Sequence, residues 1–302
     1  MQAGFRKKHD TTQQLQNVLM TLEDAKLYKQ YIYALIVDFT SALNTTDYCS
    51  LLCLIWFSTD TIDVVKNPLL SSTHQDQAFG LHGRHPSWKR KIQGDTLSPF
   101  LFLIYMEPLL RWLNAGNRGY THSHADTNTP NTKALNCTSS GAFADDLICL
   151  SGSYQNLRLQ AMKLTQYADW AHLIISGKKT KVTCMYHGDE NKILRGNTSV
   201  ADFAHHQLAN KFLVQGQAAQ FLKPDDPFPY LGVHITMDLN WSHQLTHMTA
   251  KLSLKLERLK NYVASPKQTT GIIRAAIVPS FSSYPLLPKC PKSMGHTNSG
   301  SH

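Results

Sequence analysis

Three aspartates are placed where a buried strand or a tight turn makes a carboxylate conspicuous. Asp38 follows the apolar run Tyr31 to Val37, and Asp145-Asp146 stands between the short apolar runs Ala142–Ala144 and Leu147–Leu150. An acid at the end of a β-branched and aromatic strand costs free energy to desolvate unless it is paired or meets a cation. Taken singly, each acid also reads as an edge carboxylate or a polar turn. Taken together, they suit phosphoryl transfer, in which carboxylates hold two Mg²⁺ ions about 3.5–4 Å apart between the attacking and leaving oxygens. Mg²⁺ prefers hard oxygen donors and is commonly held by one or two carboxylates plus substrate phosphates.

The elements that must position these acids follow from spacing. Leu15, Val18, Leu19, Leu22 and Ala25 recur at helical steps behind Asp10 or Thr11, which predicts an amphipathic helix over 10–30. Tyr31 to Phe39 predicts a buried strand. Ser98 and Pro99 suit a helix start, and that helix should run to Asn114 and stop at Gly116. Ala142 to Leu150 has the layout of a hairpin with Asp145 and Asp146 at its turn. Further on, the pattern predicts a helix over 154–170, strands over 172–176, 182–187 and 229–236, and a basic helix over 243–263. Residues 58–90 have no sustained period, residues 117–140 form a polar, turn-rich insertion, and residues 288–302 form a low-complexity tail expected to be disordered.

Composition narrows the classes. The 302 residues carry 30 Lys+Arg against 21 Asp+Glu, a net charge of +9, and 42% are hydrophobic. That is enough apolar material for a core, and the excess of base suggests a polyanionic partner. Six cysteines lie scattered without a Cys-x-x-Cys pair, so a structural zinc and a disulfide framework are both disfavoured. The start lacks the apolar core of a signal peptide. The longest apolar stretch, Phe100 to Leu113, is interrupted by Glu107, Pro108 and Arg111 and falls short of the roughly 20 residues that span a bilayer. These features predict an intracellular chain, cytoplasmic or nuclear, with no membrane segment.

The order of the motifs resembles the reverse transcriptases of non-LTR (LINE-type) retrotransposons from Gln2 to about Leu287. Gln2-Ala3-Gly4-Phe5-Arg6 is similar to a segment at the edge of that family's fingers. Val37-Asp38-Phe39-Thr40-Ser41-Ala42-Leu43 is similar to its motif A, and Gln93-Gly94-Asp95-Thr96-Leu97-Ser98-Pro99-Phe100-Leu101-Phe102 to its motif B. Phe143-Ala144-Asp145-Asp146 matches motif C in its F-A-D-D form. Ile174 to Thr180 looks like motif D, and Tyr230 to Thr236 like the Y-L-G primer-grip hairpin. Each match is weak alone, and six in order are a strong signal.

The resemblance implies an α+β polymerase palm, an antiparallel sheet packed on helices, with partial fingers before it and a partial thumb after it. Residues 1–30 would be a remnant of fingers, 31–240 the palm, and 241–287 the partial thumb. It implies Asp38, Asp145 and Asp146 as catalytic metal ligands, with the Phe39 carbonyl as a further oxygen donor to two Mg²⁺ or, in their place, Mn²⁺. Leu43, Gln93, Gly94 and Lys179 would meet the incoming nucleotide or template, and Tyr230, Leu231 and Gly232 the primer end. Lys251, Lys255 and Arg258 would follow the nucleic-acid backbone. The partners implied are an RNA template, a DNA primer, deoxynucleoside triphosphates and other regions of a parent retrotransposon polyprotein.

The departures have meaning as well. Leu43 and Asn44 stand where the family's motif A has an aromatic gate against ribose and a second Asp, and Ile92 stands where an Arg usually precedes Gln-Gly. The upstream fingers motif has no counterpart, which predicts a truncated, partly degenerate copy. The expected activity is RNA-templated DNA synthesis. The rival from another class is an inactive palm that only binds nucleic acid. An RNA-templated RNA polymerase is disfavoured because Ala144 stands where those enzymes usually have Gly before Asp-Asp.

Overall fold

In the computed structural model the described residues are 10–40, 98–123, 137–187, 208, 212–262 and 265–278. Chain contacts divide it into two units, 1–240 and 241–302. The sequence motifs at 2–6, 43, 58–90, 93–94 and 288–302 lie outside the described residues.

The first helix, α1 (Thr11–Leu27), begins where the sequence places it, with the Asp10 carboxylate accepting the Gln13 N–H at 2.7 Å. A cap of this kind is worth about 1 kcal/mol. Strand β1 (Tyr31–Val37) follows, then α2 (Ser98–Asn114). Asn114 closes α2 by donating its side-chain amide to the Leu110 carbonyl at 2.7 Å, and Gly116, at φ +94°, turns the chain away. The ends of the polar insertion are not free loop. Its strands β2 (Tyr120–Thr121) and β3 (Cys137–Thr138) pair antiparallel, and Tyr120 is fully buried with its hydroxyl on Asp24.

Strands β4 (Ser140–Phe143) and β5 (Asp146–Ser151) make the expected hairpin, and α3 (Tyr154–Trp170) follows with Ser153 as its cap. Strand β6 (Lys181–Tyr186) lies between β1 and β9 (Gln220–Phe221) in the sheet. The remaining strands of this unit are β7 (Leu213–Val214), β8 (Gln217–Ala218), β9 (Gln220–Phe221), β10 (Phe228–Tyr230) and β11 (Val233–Ile235).

The main sheet runs β4-β5-β1-β6-β9 and is antiparallel except for its last pair, β6 with β9. The expectation of a wholly antiparallel sheet is corrected there. A parallel neighbour needs a long crossover, and the chain between Tyr186 and Gln220 supplies one. Residues 172–176 are not a strand. Only Ile175 bridges, to Phe39, because Thr40 donates to the Ile174 carbonyl and Ser176 to the Asp38 carbonyl before the chain turns. The 229–236 strand is two strands around a turn at Leu231-Gly232.

Alternation along β1 decides what each face does. Tyr33, Leu35, Val37 and Phe39 enter one buried cluster with Tyr105, Met106, Leu109 and Leu110 of α2 and Leu157, Ala161 and Leu164 of α3. The Tyr105 hydroxyl donates to the Ala171 carbonyl and the Tyr167 hydroxyl to the Tyr105 carbonyl, which locks α2 to α3. Trimming any one of the buried leucines to alanine should cost about 2–5 kcal/mol. The other face carries Ile32, Ala34, Ile148 and Leu150, all buried but outside that cluster, and α1 packs along β1 and β4 with Leu15, Val18, Leu19 and Leu22 buried.

The second unit holds α4 (Ser242–Lys260), α5 (Pro266–Ile272) and a π-helical turn over Ile273–Ile277. Ser265 and Gln268 form a capping box at the start of α5. Among the described residues no helix is long and apolar enough to cross a membrane, and Cys137, Cys149 and Cys184 are free thiols.

Candidate active site

Strand register builds the site. Val37 faces Leu147 across the β1–β5 ladder, so the next step puts Asp38 opposite Asp146. Directly opposed residues point to the same side of a sheet. Leu35, Val37, Leu147 and Cys149 go to the buried cluster, and the two aspartates therefore project from the opposite face, at the end of the sheet. Phe143 pairs with Asp146, leaving Ala144 and Asp145 as the two-residue turn. The hairpin thus has one acid in its turn and the other as the first residue of β5. Ala144 adopts φ +55°, a left-handed conformation that costs a residue with a β-carbon about 1–2 kcal/mol. Strain of this kind persists where the surrounding structure imposes it.

The backbone of Asp38 is held from both sides. Its carbonyl accepts the Ser176 N–H at 2.9 Å, and its own N–H donates to Thr180 Oγ1 at 3.3 Å. Phe39 turns its ring into the core, so that only its backbone carbonyl could serve as the oxygen donor expected of this residue. Asp38 Oδ1 is buried and makes no hydrogen bond, and Lys179 Nζ stands 3.7 Å from it. The Asp146 carboxyl is pushed above the usual carboxylate range, first by desolvation and then by the negative charges of Asp145 and Asp38. Mutual repulsion of this kind is relieved when a cation arrives.

These donors fit a hard divalent ion: they are oxygens, one of them is orphaned, and their charges repel each other. The three acids share one end of the sheet. Among the described residues, no three His, Cys, Asp or Glu side chains converge closely enough to hold a metal ion by themselves. Further ligands would come from water and substrate phosphates, which is the usual case for Mg²⁺.

Strands β10 and β11 meet at Leu231 and Gly232, with φ +51° and +80°. Two positive values in a two-residue loop are the pattern that matches strand twist in a hairpin, and Gly232 adopts its value without strain. Tyr230 is buried, and its phenol is pushed well up by burial, held back in part by the Gln14 side chain, and raised further by the negative charge of Asp146. The hairpin therefore lies within electrostatic reach of the aspartates.

Two residues escaped the sequence reading. Gln14 is almost fully buried in α1, its amide lies beside the Tyr230 hydroxyl, and a β-carbon added at Gly141 would come within 1.7 Å of its Nε2. Its only signal is its position beside Leu15 and Val18 on the apolar stripe. Thr180 is the other, and its fully buried position next to three lysines gives no sign that its hydroxyl would receive the Asp38 N–H. Leu43, Gln93 and Gly94 lie outside the described residues. In α4, Lys251 and Arg258 are exposed, whereas Lys255 is half-buried and donates to the Ala276 carbonyl at 3.0 Å.

No curated protein sequence matches the chain. A family model described as reverse transcriptase (RNA-dependent DNA polymerase) matches residues 1–235. That span holds both aspartate motifs, the strands that carry them and the hairpin at Tyr230. The chain is a member of the reverse transcriptase (RNA-dependent DNA polymerase) family.

Proposed function

We propose that the chain is the RNA-directed DNA polymerase domain of a non-LTR retrotransposon, with a two-Mg²⁺ nucleotidyl transfer site at Asp38, Asp145 and Asp146. The observation that carries this is the cross-strand placement of Asp38 opposite Asp146, beside Asp145, at the end of a sheet within the matched span. The non-LTR assignment rests on the Q-G-D-T-L-S-P, F-A-D-D and Y-L-G forms of the motifs. The substrates are then a primer on an RNA template and deoxynucleoside triphosphates. The primer 3′-OH attacks the α-phosphate, and pyrophosphate leaves.

When bound, Mg²⁺ would supply charge stabilisation at the attacking and leaving oxygens, with the three aspartates and the Phe39 carbonyl as its donors. The chain's own groups do the positioning. Lys179 stands close enough to Asp38 to meet a triphosphate held at that carboxylate. Leu43, Gln93 and Gly94 complete the nucleotide and template contacts in this proposal. The Tyr230–Gly232 turn holds the primer end, and its reach to Asp146 keeps that end near the acids. Residues 241–287 serve as thumb, and 1–30 as part of the fingers.

Extension assays test this. With Mg²⁺ and oligo(dT)-primed poly(rA), the full chain should incorporate dTTP, and Asp145→Asn should lower the rate by at least about 100-fold, the scale of losing a main electrostatic contributor. Incorporation equal to that of Asp145→Asn would overturn the enzymatic assignment.

A further inference from the structure

We propose that Lys179 is a displaceable counter-ion that occupies Asp38 until a divalent cation takes its place, so that metal loading releases this lysine toward the substrate's phosphates. The inference rests on the metal-dependent function proposed above.

Two features of the turn favour such a role. The backbone around Lys179 is fixed: Lys179 and Thr180 both donate their N–H to the Ser176 carbonyl, at 3.2 and 2.7 Å, and Gly177 donates to Gln217 Oε1 at 2.9 Å. Thr180 is buried and receives the Asp38 N–H. The base of the lysine is thus held beside Asp38, while its side chain is 71% exposed and free to swing.

The contact itself is of a displaceable kind. At 3.7 Å the ammonium is paired by charge without a hydrogen bond, and the oxygen it faces, Asp38 Oδ1, makes none at all. Among the described residues, Lys179 is the cation paired with that carboxylate. An open ion pair is weak and screened by salt, so a divalent ion with several ligands outcompetes it. The ammonium and the ion cannot both approach one carboxylate oxygen without strong repulsion.

The coupling is reciprocal. Polyphosphate that draws Lys179 away unmasks Asp38, and metal on Asp38 sends Lys179 to the polyphosphate. Nucleotide and metal would then load cooperatively through one side chain.

Mn²⁺ titration of the full chain without nucleotide, read by electron paramagnetic resonance, tests the pair apart from turnover. Lys179→Gln should bind Mn²⁺ about three- to ten-fold more tightly than the parent, the scale of removing one nearby charge. Lys178→Gln removes a neighbour that is also exposed and should change affinity less than about two-fold. Asp38→Asn should weaken Mn²⁺ binding. Unchanged or weaker binding in Lys179→Gln, with Asp38→Asn weakened, would overturn the counter-ion role alone. Parent-like binding in Asp38→Asn would overturn the metal site on which it rests.

Discussion

Asp146, a metal ligand in the proposed site, sits where its charge works against the fold. Its carboxyl is raised by desolvation and by Asp145 and Asp38, so the folded state favours its protonated form. For a carboxylate shifted upward, the stabilising contribution is complete below the unfolded value and is lost as pH rises through the folded one. At neutral pH without metal, the ionised group therefore opposes folding. Asp146→Asn should melt at a higher temperature than the parent at pH 7 in EDTA, and the gap should close below about pH 4, where the parent carboxyl is protonated folded or unfolded. A lower melting temperature for Asp146→Asn at every pH would mean that Asp146 is not charge-strained. The same variant should fail in primer extension, which is the trade between stability and function common at active sites.

At the scale of elements, the two hairpins and α1 act together through Gln14 and Gly141. Gly141 is where α1 lies against β4, and a methyl there would run into the Gln14 amide. Gly141→Ala should destabilise the chain by about 1–3 kcal/mol, outweighing the roughly 0.5–1 kcal/mol that alanine otherwise gains over glycine in a strand. Gln14→Ala in that background should restore part of the loss. Urea unfolding of the double-mutant cycle measures this coupling, and strictly additive effects would rule the contact out. The contact also marks the limit of what the sequence disclosed. Elements with a long apolar period were legible: α1, β1, α2, α3 and the β4–β5 hairpin fall where spacing and caps put them. Residues 172–176 were misread as a strand because their apolar run is real, yet its hydrogen bonds are spent on a single bridge beside Asp38. The pairs β7–β8 and β6–β9 escaped because two-residue strands such as Gln217–Ala218 carry no period, and only tertiary pairing makes them strands. The acids were legible as types and spacing. Gln14 was not, since a glutamine beside a leucine stripe reads as the polar edge of a helix until its neighbour proves to be a glycine.

Across the whole molecule the net charge of +9 is a statement about partners, and α4 gives it a location to test. At 100° per residue, Lys251, Lys255 and Arg258 share one side of the helix, while Lys260 falls on the opposite side. Helical geometry thus sets Lys260 apart from the three cations expected to follow the nucleic-acid backbone. Structure then separates Lys255, whose ammonium is engaged with the Ala276 carbonyl inside the second unit. That leaves Lys251 and Arg258 as the exposed cations of the face. Each phosphate contact contributes about 0.7–0.9 to the slope of log affinity against log salt. The double variant Lys251→Ala/Arg258→Ala should therefore lower that slope by about 1.4–1.8 on a primer–template duplex, with little dependence on its sequence. Lys260→Ala should leave the slope near that of the parent, because its side of the helix faces away from the other two. Lys255→Ala should combine a smaller change in slope with a loss of stability in residues 241–278, visible as faster amide exchange in α4 and α5. If the double variant keeps the parental slope, the polyanion is held elsewhere on the chain, and the basic side of α4 is a solvated helix face.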